Sequence, residues 1–157
     1  MWWRLSRSEF EKNKGEPNRR ALQEIVRSEE EPGLLAYDGG EPIGWVSVAP
    51  RESFPALERS RVLARVDDQP VWSVVCFFVA KGYRRKGVSL ALLEAAVEFA
   101  RKKGAEIIEG YPIPPKENES PDPFAYTGLE SIFEQTGFEV AVRRGKTERG
   151  VWRRHFK

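Results

Sequence analysis

Val74-Val75-Cys76-Phe77-Phe78-Val79, followed by Tyr83-Arg84-Arg85-Lys86-Gly87-Val88-Ser89 and a helical pattern over residues 90–103, is the run that decides the fold. Residues 71–79 form a continuous apolar stretch, which predicts a strand buried on both faces and central in its sheet. Ala91, Leu92, Ala95, Ala96 and Phe99 read as the inner face of the helix, which Gly104 ends. A strand that empties through a basic, glycine-bearing turn into a helix leaves several backbone N–H groups unpaired. Those donors, the helix dipole and the adjacent Arg84, Arg85 and Lys86 predict an anion site suited to a phosphate or pyrophosphate. Cations are disfavoured beside the positive end of a helix unless an anion joins them, so the run reads as more than a solvated charge cluster.

Outward from that run, residues 2–5 suggest a short first strand, and residues 6–13 a short helix capped by Ser6 or Ser8. Residues 18–26 read as a second helix with Ala21, Leu22, Ile25 and Val26 on one face. Residues 33–37 and 42–48 form a hairpin around Asp38-Gly39-Gly40-Glu41, whose glycines supply the positive φ of such turns. Residues 49–69 look irregular, with a turn of helix at 54–59. Beyond the central helix come a strand at 107–111, a loop at 112–124 with five prolines, and a helix at 127–135 closed by Gly137. Strands at 138–143 and 151–156 complete the chain.

With 157 residues, one domain spanning residues 1–157 is expected, large enough for a core without metals or disulfides. An apolar share of 40% with five Trp and nine Phe fits a globular chain. Lys plus Arg is 26 and Asp plus Glu is 24, a net +2, so no overall polyanion-binding field is implied. The single Cys76 excludes an internal disulfide and any Cys-based zinc site, and it reads as a core residue in a reducing compartment. No run is long and apolar enough to span a bilayer, and Met1-Trp2-Trp3-Arg4 lacks signal-peptide character, so a soluble cytoplasmic protein is expected.

The order of hairpin, long strand, basic Gly turn, helix, strand and short helix ending in Gly-Phe resembles the GNAT superfamily of N-acetyltransferases over residues 34–143. Arg84-Arg85-Lys86-Gly87-Val88-Ser89 is similar to the family's Arg/Gln-x-x-Gly-x-Gly/Ala turn, with Ser89 in place of the final Gly or Ala. Ile132-Phe133-Glu134-Gln135-Thr136-Gly137-Phe138 resembles its second motif, with Phe133 where a Tyr is usual. The resemblance implies a mixed α/β (α+β) domain. Its central sheet would be mostly antiparallel, with six to seven strands, flanking helices and a splayed central pair. It also implies acetyl-CoA as co-substrate, no metal, an amine acceptor, direct attack in a ternary complex and the option of a homodimer. Phe77, Phe78 and Val79 would line the pantetheine arm with strand backbone freed by a bulge. Arg84, Arg85, Lys86, Gly87, Val88 and Ser89 would hold the phosphates. The Val79 amide would polarise the thioester carbonyl.

Catalytic groups are less defined. An ammonium with a pKa of roughly 10 must lose a proton before it attacks, so a base is sought. Glu109 shares a strand face with Ile107 and Tyr111 and needs a partner or a cavity; it reads equally as a base or as a carboxylate paired with an arginine. Glu52 is a second base candidate, with a surface loop as its alternative. Tyr126 is the candidate acid, near the start of the same helix and about two turns ahead of Phe133, reaching the sulfur only with that helix unusually placed. Water relays are an alternative to either role. Trp45 and Trp72 are candidate acceptor-pocket residues, and His155 reads as a surface residue. Two other classes stay open: a non-catalytic coenzyme A-binding module, and an anion- or nucleic-acid-binding domain built on Arg143, Arg144, Lys146, Arg149, Arg153 and Arg154. Glu148 and the near-neutral charge argue against a dedicated nucleic-acid binder.

Overall fold

A capping box starts the first helix. The Ser6 hydroxyl accepts from the Glu9 N–H, and the Glu9 carboxylate accepts from the Ser6 N–H, ahead of α1 (Arg7–Lys12). The structure, a computed structural model, describes residues 1–115, 126–146 and 148–157. Residues 2–5 form a turn rather than the expected strand. The Arg4 and Leu5 N–H groups both donate to the Met1 carbonyl, while Trp2 meets Phe10 edge-on at 5.2 Å. Local bonds therefore capture the backbone that a strand would have offered to the sheet. The second helix, α2 (Glu16–Arg27), starts earlier than expected because Pro17 suits a first turn. Only Leu22 and Ile25 of its expected apolar face are half-buried; Ala21 and Val26 are exposed.

The hairpin β1 (Gly33–Asp38) and β2 (Glu41–Pro50) turns through Gly39 and Gly40, at φ +53° and +90°. A 3₁₀ turn at Arg51–Ser53 and α3 (Pro55–Arg59) punctuate the segment read as irregular. Then follow β3 (Trp72–Val79), α4 (Val88–Lys102), β4 (Ile107–Gly110), α5 (Glu130–Gln135), β5 (Glu139–Arg143) and β6 (Gly150–His155). The sheet among the described residues has six strands in the order β1-β2-β3-β4-β6-β5. Only β3 and β4 are parallel neighbours; every other pair is antiparallel. Of the loop expected at 112–124, residues 116–124 lie outside the described residues; residues 112–115 are non-helical, and Ile113 bridges Leu129.

The central placement of β3 follows from what its side chains meet. Val74 enters a cluster with Val46, Leu93, Ile108 and Phe133 on the α4 side, while its neighbour Val75 enters one with Phe54, Leu57, Tyr111 and Val151 on the other. Each fully buried aliphatic side chain of this kind contributes about 1.5–3 kcal/mol. The α4 stripe is Leu92, Leu93, Ala96, Val97 and Ala100, with Phe99 half-buried. Ala91 and Ala95, expected inside, are exposed: the larger Leu93 and Val97 rotate the helix by their greater apolar area.

Two irregularities position the site. In the β2–β3 ladder Ser47 faces Cys76 and Val48 faces Val74, so Val75 is an extra, bulged residue. The parallel β3–β4 ladder holds only from Trp72 to Val74 against Ile108 to Gly110, after which the two strands part. Phe133, fully buried, wedges into the opening. It packs edge-on against Phe77 at 6.3 Å and Phe138 at 4.9 Å. A Cβ on Gly110 would lie 1.9 Å from the Phe133 ring. Gly110→Ala should therefore cost about 1–3 kcal/mol through overpacking, read as a lowered denaturation midpoint at unchanged m-value.

A buried ion lattice staples residues 51–69 to the sheet. Glu109 is 1% exposed and accepts from Arg51 at 3.1 Å, from Arg153 at 2.7 Å and from the Tyr111 hydroxyl at 2.9 Å. Arg51 also donates to Glu58 and to the Leu63 carbonyl, and Arg153 forks onto Asp67 at 2.5 and 3.0 Å. The Arg153 hydrogen bonds hold the Asp67 carboxyl down at about 2. The Tyr111 phenol, hydrogen-bonded with Ser73 at 2.7 Å, is pushed well above its usual value by burial and then by Glu109.

Candidate functional site

The Ala80 N–H donates to the Ile43 carbonyl, and Phe78 faces Trp45 across the antiparallel ladder. Alternate residues of such a ladder point their polar groups to opposite sides, so those of Phe77 and Val79 face away from β2, into the gap beside β4. There the Phe77 N–H donates to the Tyr126 carbonyl at 2.5 Å, and the Val79 carbonyl accepts from Arg84 Nε at 3.1 Å. The Val79 N–H remains directed at the gap.

At the far end of β3 the chain turns through two left-handed residues, Arg85 at φ +61° and Gly87 at φ +80°. Gly87 is the N-cap of α4 and offers no side-chain cap, and no acidic residue occupies the first turn. The first intrahelical bond is Ala91 N–H to the Gly87 carbonyl, which leaves the N–H groups of Val88, Ser89 and Leu90 without helical acceptors. A Cβ on Gly87 would meet nothing within 4 Å, so the approach to those donors is open. Tyr83 pins the turn: its hydroxyl donates to Asp38 at 3.0 Å, and Lys86 Nζ sits 5.7 Å above its ring.

Between the gap and the turn runs a cleft of about 400 Å³, within the range of small-molecule sites. Eight of the nine expected cofactor residues line it: Phe77, Phe78, Val79, Arg84, Arg85, Gly87, Val88 and Ser89. Lys86 does not, being turned onto Tyr83. Tyr83, Leu90, Gly128, Leu129 and Ile132 line the cleft as well and were not foreseen. For Gly128 the signal was a glycine at the head of the predicted helix: its φ of +93° stops the helix there, so α5 starts at Glu130.

Tyr126 lines the cleft too, and not by being helical. It sits in the turn before Gly128, whose carbonyl accepts from Ile113, and the turn folds over the β3 edge. Its ring lies 6.4 Å from that of Trp3. Burial raises its phenol pKa, with Arg149 opposing and Cys76 adding to the rise, so the group is protonated at neutral pH. Glu109 and Glu52 are not brought to the cleft. Glu109 has the arginine-paired geometry, and Glu52 is an exposed residue bound to Arg65 at 3.0 Å. A hydrogen bond from its own backbone N–H, then Arg65, holds the Glu52 carboxyl below its usual value. Trp72 packs on Phe99 at 5.8 Å and Trp45 lies against Gly33, both off the cleft. Burial raises the Cys76 thiol, and His155 is exposed.

The C-terminal basic cluster is largely turned inward. Arg143 binds Glu130, Arg144 binds the carbonyls of Val62, Ala64 and Arg65, and Arg154 binds that of Thr136. Among the described residues no group of His, Cys, Asp and Glu is placed to hold a metal, and no helix is long and apolar enough to cross a membrane.

The model of the Acetyltransferase (GNAT) family matches residues 1–112. No curated protein matches the chain. Among solved structures, the PaiA N-acetyltransferase from Thermoplasma acidophilum in complex with coenzyme A is similar at 16% identity and a TM-score of 0.55, covering 97% of this chain and 80% of that one. AAC(6')-Iy in complex with the bisubstrate analogue CoA-S-monomethyl-acetylneamine aligns at 20% identity and a TM-score of 0.55, over 91% of this chain and 86% of that one. Ribosomal-protein-alanine N-acetyltransferase from Brucella melitensis aligns at 17% identity and a TM-score of 0.53, over 90% and 78%. At these identities the likeness establishes the fold.

Proposed function

This chain belongs to the GNAT family of acetyltransferases, and from that premise we propose that it transfers the acetyl group of acetyl-CoA to a primary amine of a small molecule or peptide. One observation carries the reading: a single cleft joins an uncapped helix start at Gly87 to strand backbone left open where β3 parts from β4. The N–H groups of Val88, Ser89 and Leu90 would bind the pyrophosphate, with Arg84 and Arg85 on the outer phosphate oxygens. Phe77, Phe78 and Val79 would border the pantetheine arm. The Val79 N–H would donate to the thioester carbonyl and stabilise charge developing on its oxygen. The single unpaired Cys76 suits the reducing cytoplasm in which this reading places the protein.

The chemistry asks little more of the chain. A neutral amine attacks the thioester carbon, a C–N bond forms, the C–S bond breaks, and the thiolate takes a proton from the Tyr126 hydroxyl. The proton leaving the amine nitrogen passes to water, which reaches the cleft mouth beside Tyr126, 39% exposed, and water returns a proton to the Tyr126 phenolate. Phe133, the position where the resemblance expects a tyrosine, is fully buried and has no proton to give. That observation favours the second reading, a coenzyme A-binding module without turnover. Calorimetry with acetyl-CoA, followed by a thiol-release assay over an amine panel, separates the two: binding with release supports the enzyme, binding alone supports the module. Absence of binding removes both. Tyr126→Phe should lower kcat by about 10²-fold with acetyl-CoA affinity unchanged. Equal turnover in that variant would assign the acid to water.

A further inference from the structure

Arg51, Arg153 and Arg149 all hold their guanidinium groups partly or wholly away from water. Arg51 has Glu58 and Glu109, and Arg153 has Glu109 and Asp67. Arg149 differs: among the described residues it forms no ion pair. Its Nη2 donates to two neutral oxygens, the Tyr111 carbonyl and Thr127 Oγ1, both at 3.1 Å. Its Nε is buried and has no hydrogen-bond partner among the described residues. Burial pulls its pKa down, with Tyr126 opposing that pull. A cation held this way is costly unless a negative charge joins it.

Its surroundings say where that charge would arrive. Thr127, which Arg149 grips, follows Tyr126, whose side chain lines the cleft and whose carbonyl takes the Phe77 N–H. The Tyr126 phenol feels both Arg149 and Cys76, and Cys76 adjoins the Val75 bulge at the top of the parted strands. Arg149 does not itself line the cleft; its bond to Thr127 ties the guanidinium to the turn at 126–128, two of whose residues do, at the end remote from the phosphate-binding turn at Gly87. We propose that Arg149 recognises a carboxylate on the acceptor, so that the substrate is an amino-acid-like molecule carrying its amine close to an acid group. This assignment rests on the acyl-transfer reading above. In an α-amino acid the two groups are separated by one carbon, so a charge-assisted grip on the carboxylate also sets the position of the attacking nitrogen. A polyamine or other polycationic acceptor would meet a like charge at the same point.

The test is thiol release from acetyl-CoA with L-amino acids and their matched C-terminal amides. The acids should exceed the amides in kcat/KM by about 10- to 100-fold, chiefly through KM, the worth of a charge-assisted hydrogen bond. Arg149→Gln should bring that ratio to about one, and Arg149→Lys should keep part of it. A general loss of folded protein lowers both rates together and leaves the ratio alone, so the ratio reports recognition. The proposal is overturned if amides serve as well as acids, if the preference survives Arg149→Gln, or if acids are not acetylated while acetyl-CoA still binds by calorimetry. Intact acetyl-CoA binding with no acid preference removes only this assignment. Absence of acetyl-CoA binding removes the transferase reading with it.

Discussion

Glu109→Ala should destabilise the fold by about 3–5 kcal/mol, the usual consequence of removing one partner from a buried ion pair. Glu109 is enclosed by two arginines from different parts of the chain, and Arg51 is itself 1% exposed. Truncation leaves Arg51 with Glu58 and Arg153 with Asp67, both partners at the solvent margin, so the guanidinium groups lose their shared buried counter-charge. The Tyr111 hydroxyl loses an acceptor as well. Urea denaturation reads the loss as a fall in midpoint at nearly constant slope. Glu109→Gln keeps the shape and an acceptor oxygen, so its cost should be smaller. Turnover per folded molecule is the decisive companion measurement. If the Gln variant is as stable as the parent yet turns over about 10²-fold more slowly, Glu109 is the base and the lattice reading fails.

The same lattice shows why part of the site was illegible in the chain. The strand β3, the basic turn and α4 declare themselves locally, by apolar run, glycine and helical period. Arg51 and Glu109 are 58 residues apart, and no local pattern links a charge after one strand to a carboxylate within another. The sequence period sets the α4 stripe one flank away because alanine is nearly neutral to burial: Ala91 and Ala95 fit the period as well as Leu93 and Val97 do. Helical spacing alone puts Tyr126 about two turns from Phe133. The positive φ of Gly128 ends that helix early and frees the turn to cross the cleft. Residues 2–5 look strand-like by composition, yet the Met1 carbonyl captures the N–H groups of Arg4 and Leu5 first. Periodicity thus conveyed what neighbours in sequence decide, and long-range charge pairing lay beyond it.

Gly87→Val should reduce acetyl-CoA affinity by about 10²-fold or more while the protein stays folded, since several charge-assisted hydrogen bonds to one anion would be lost together. The backbone at Gly87 is left-handed, at φ +80° and ψ 3°, a conformation that costs a β-branched residue about 1–3 kcal/mol. Nothing lies within 4 Å of the added Cβ, so no core contact opposes it, and the melting temperature should fall by about 2–12 °C. The same open space is the approach to the N–H groups of Val88, Ser89 and Leu90. A branched side chain there stands between those donors and any phosphate, and strain in the turn tilts the donors away from a common point. Gly87→Ala, with one carbon added instead of three, should fall between parent and valine variant. Calorimetry with acetyl-CoA measures all three proteins directly. Unchanged affinity in a folded Gly87→Val protein would mean that the pyrophosphate is not held by the start of α4. The cleft along β3 would then need another explanation for its open helix end.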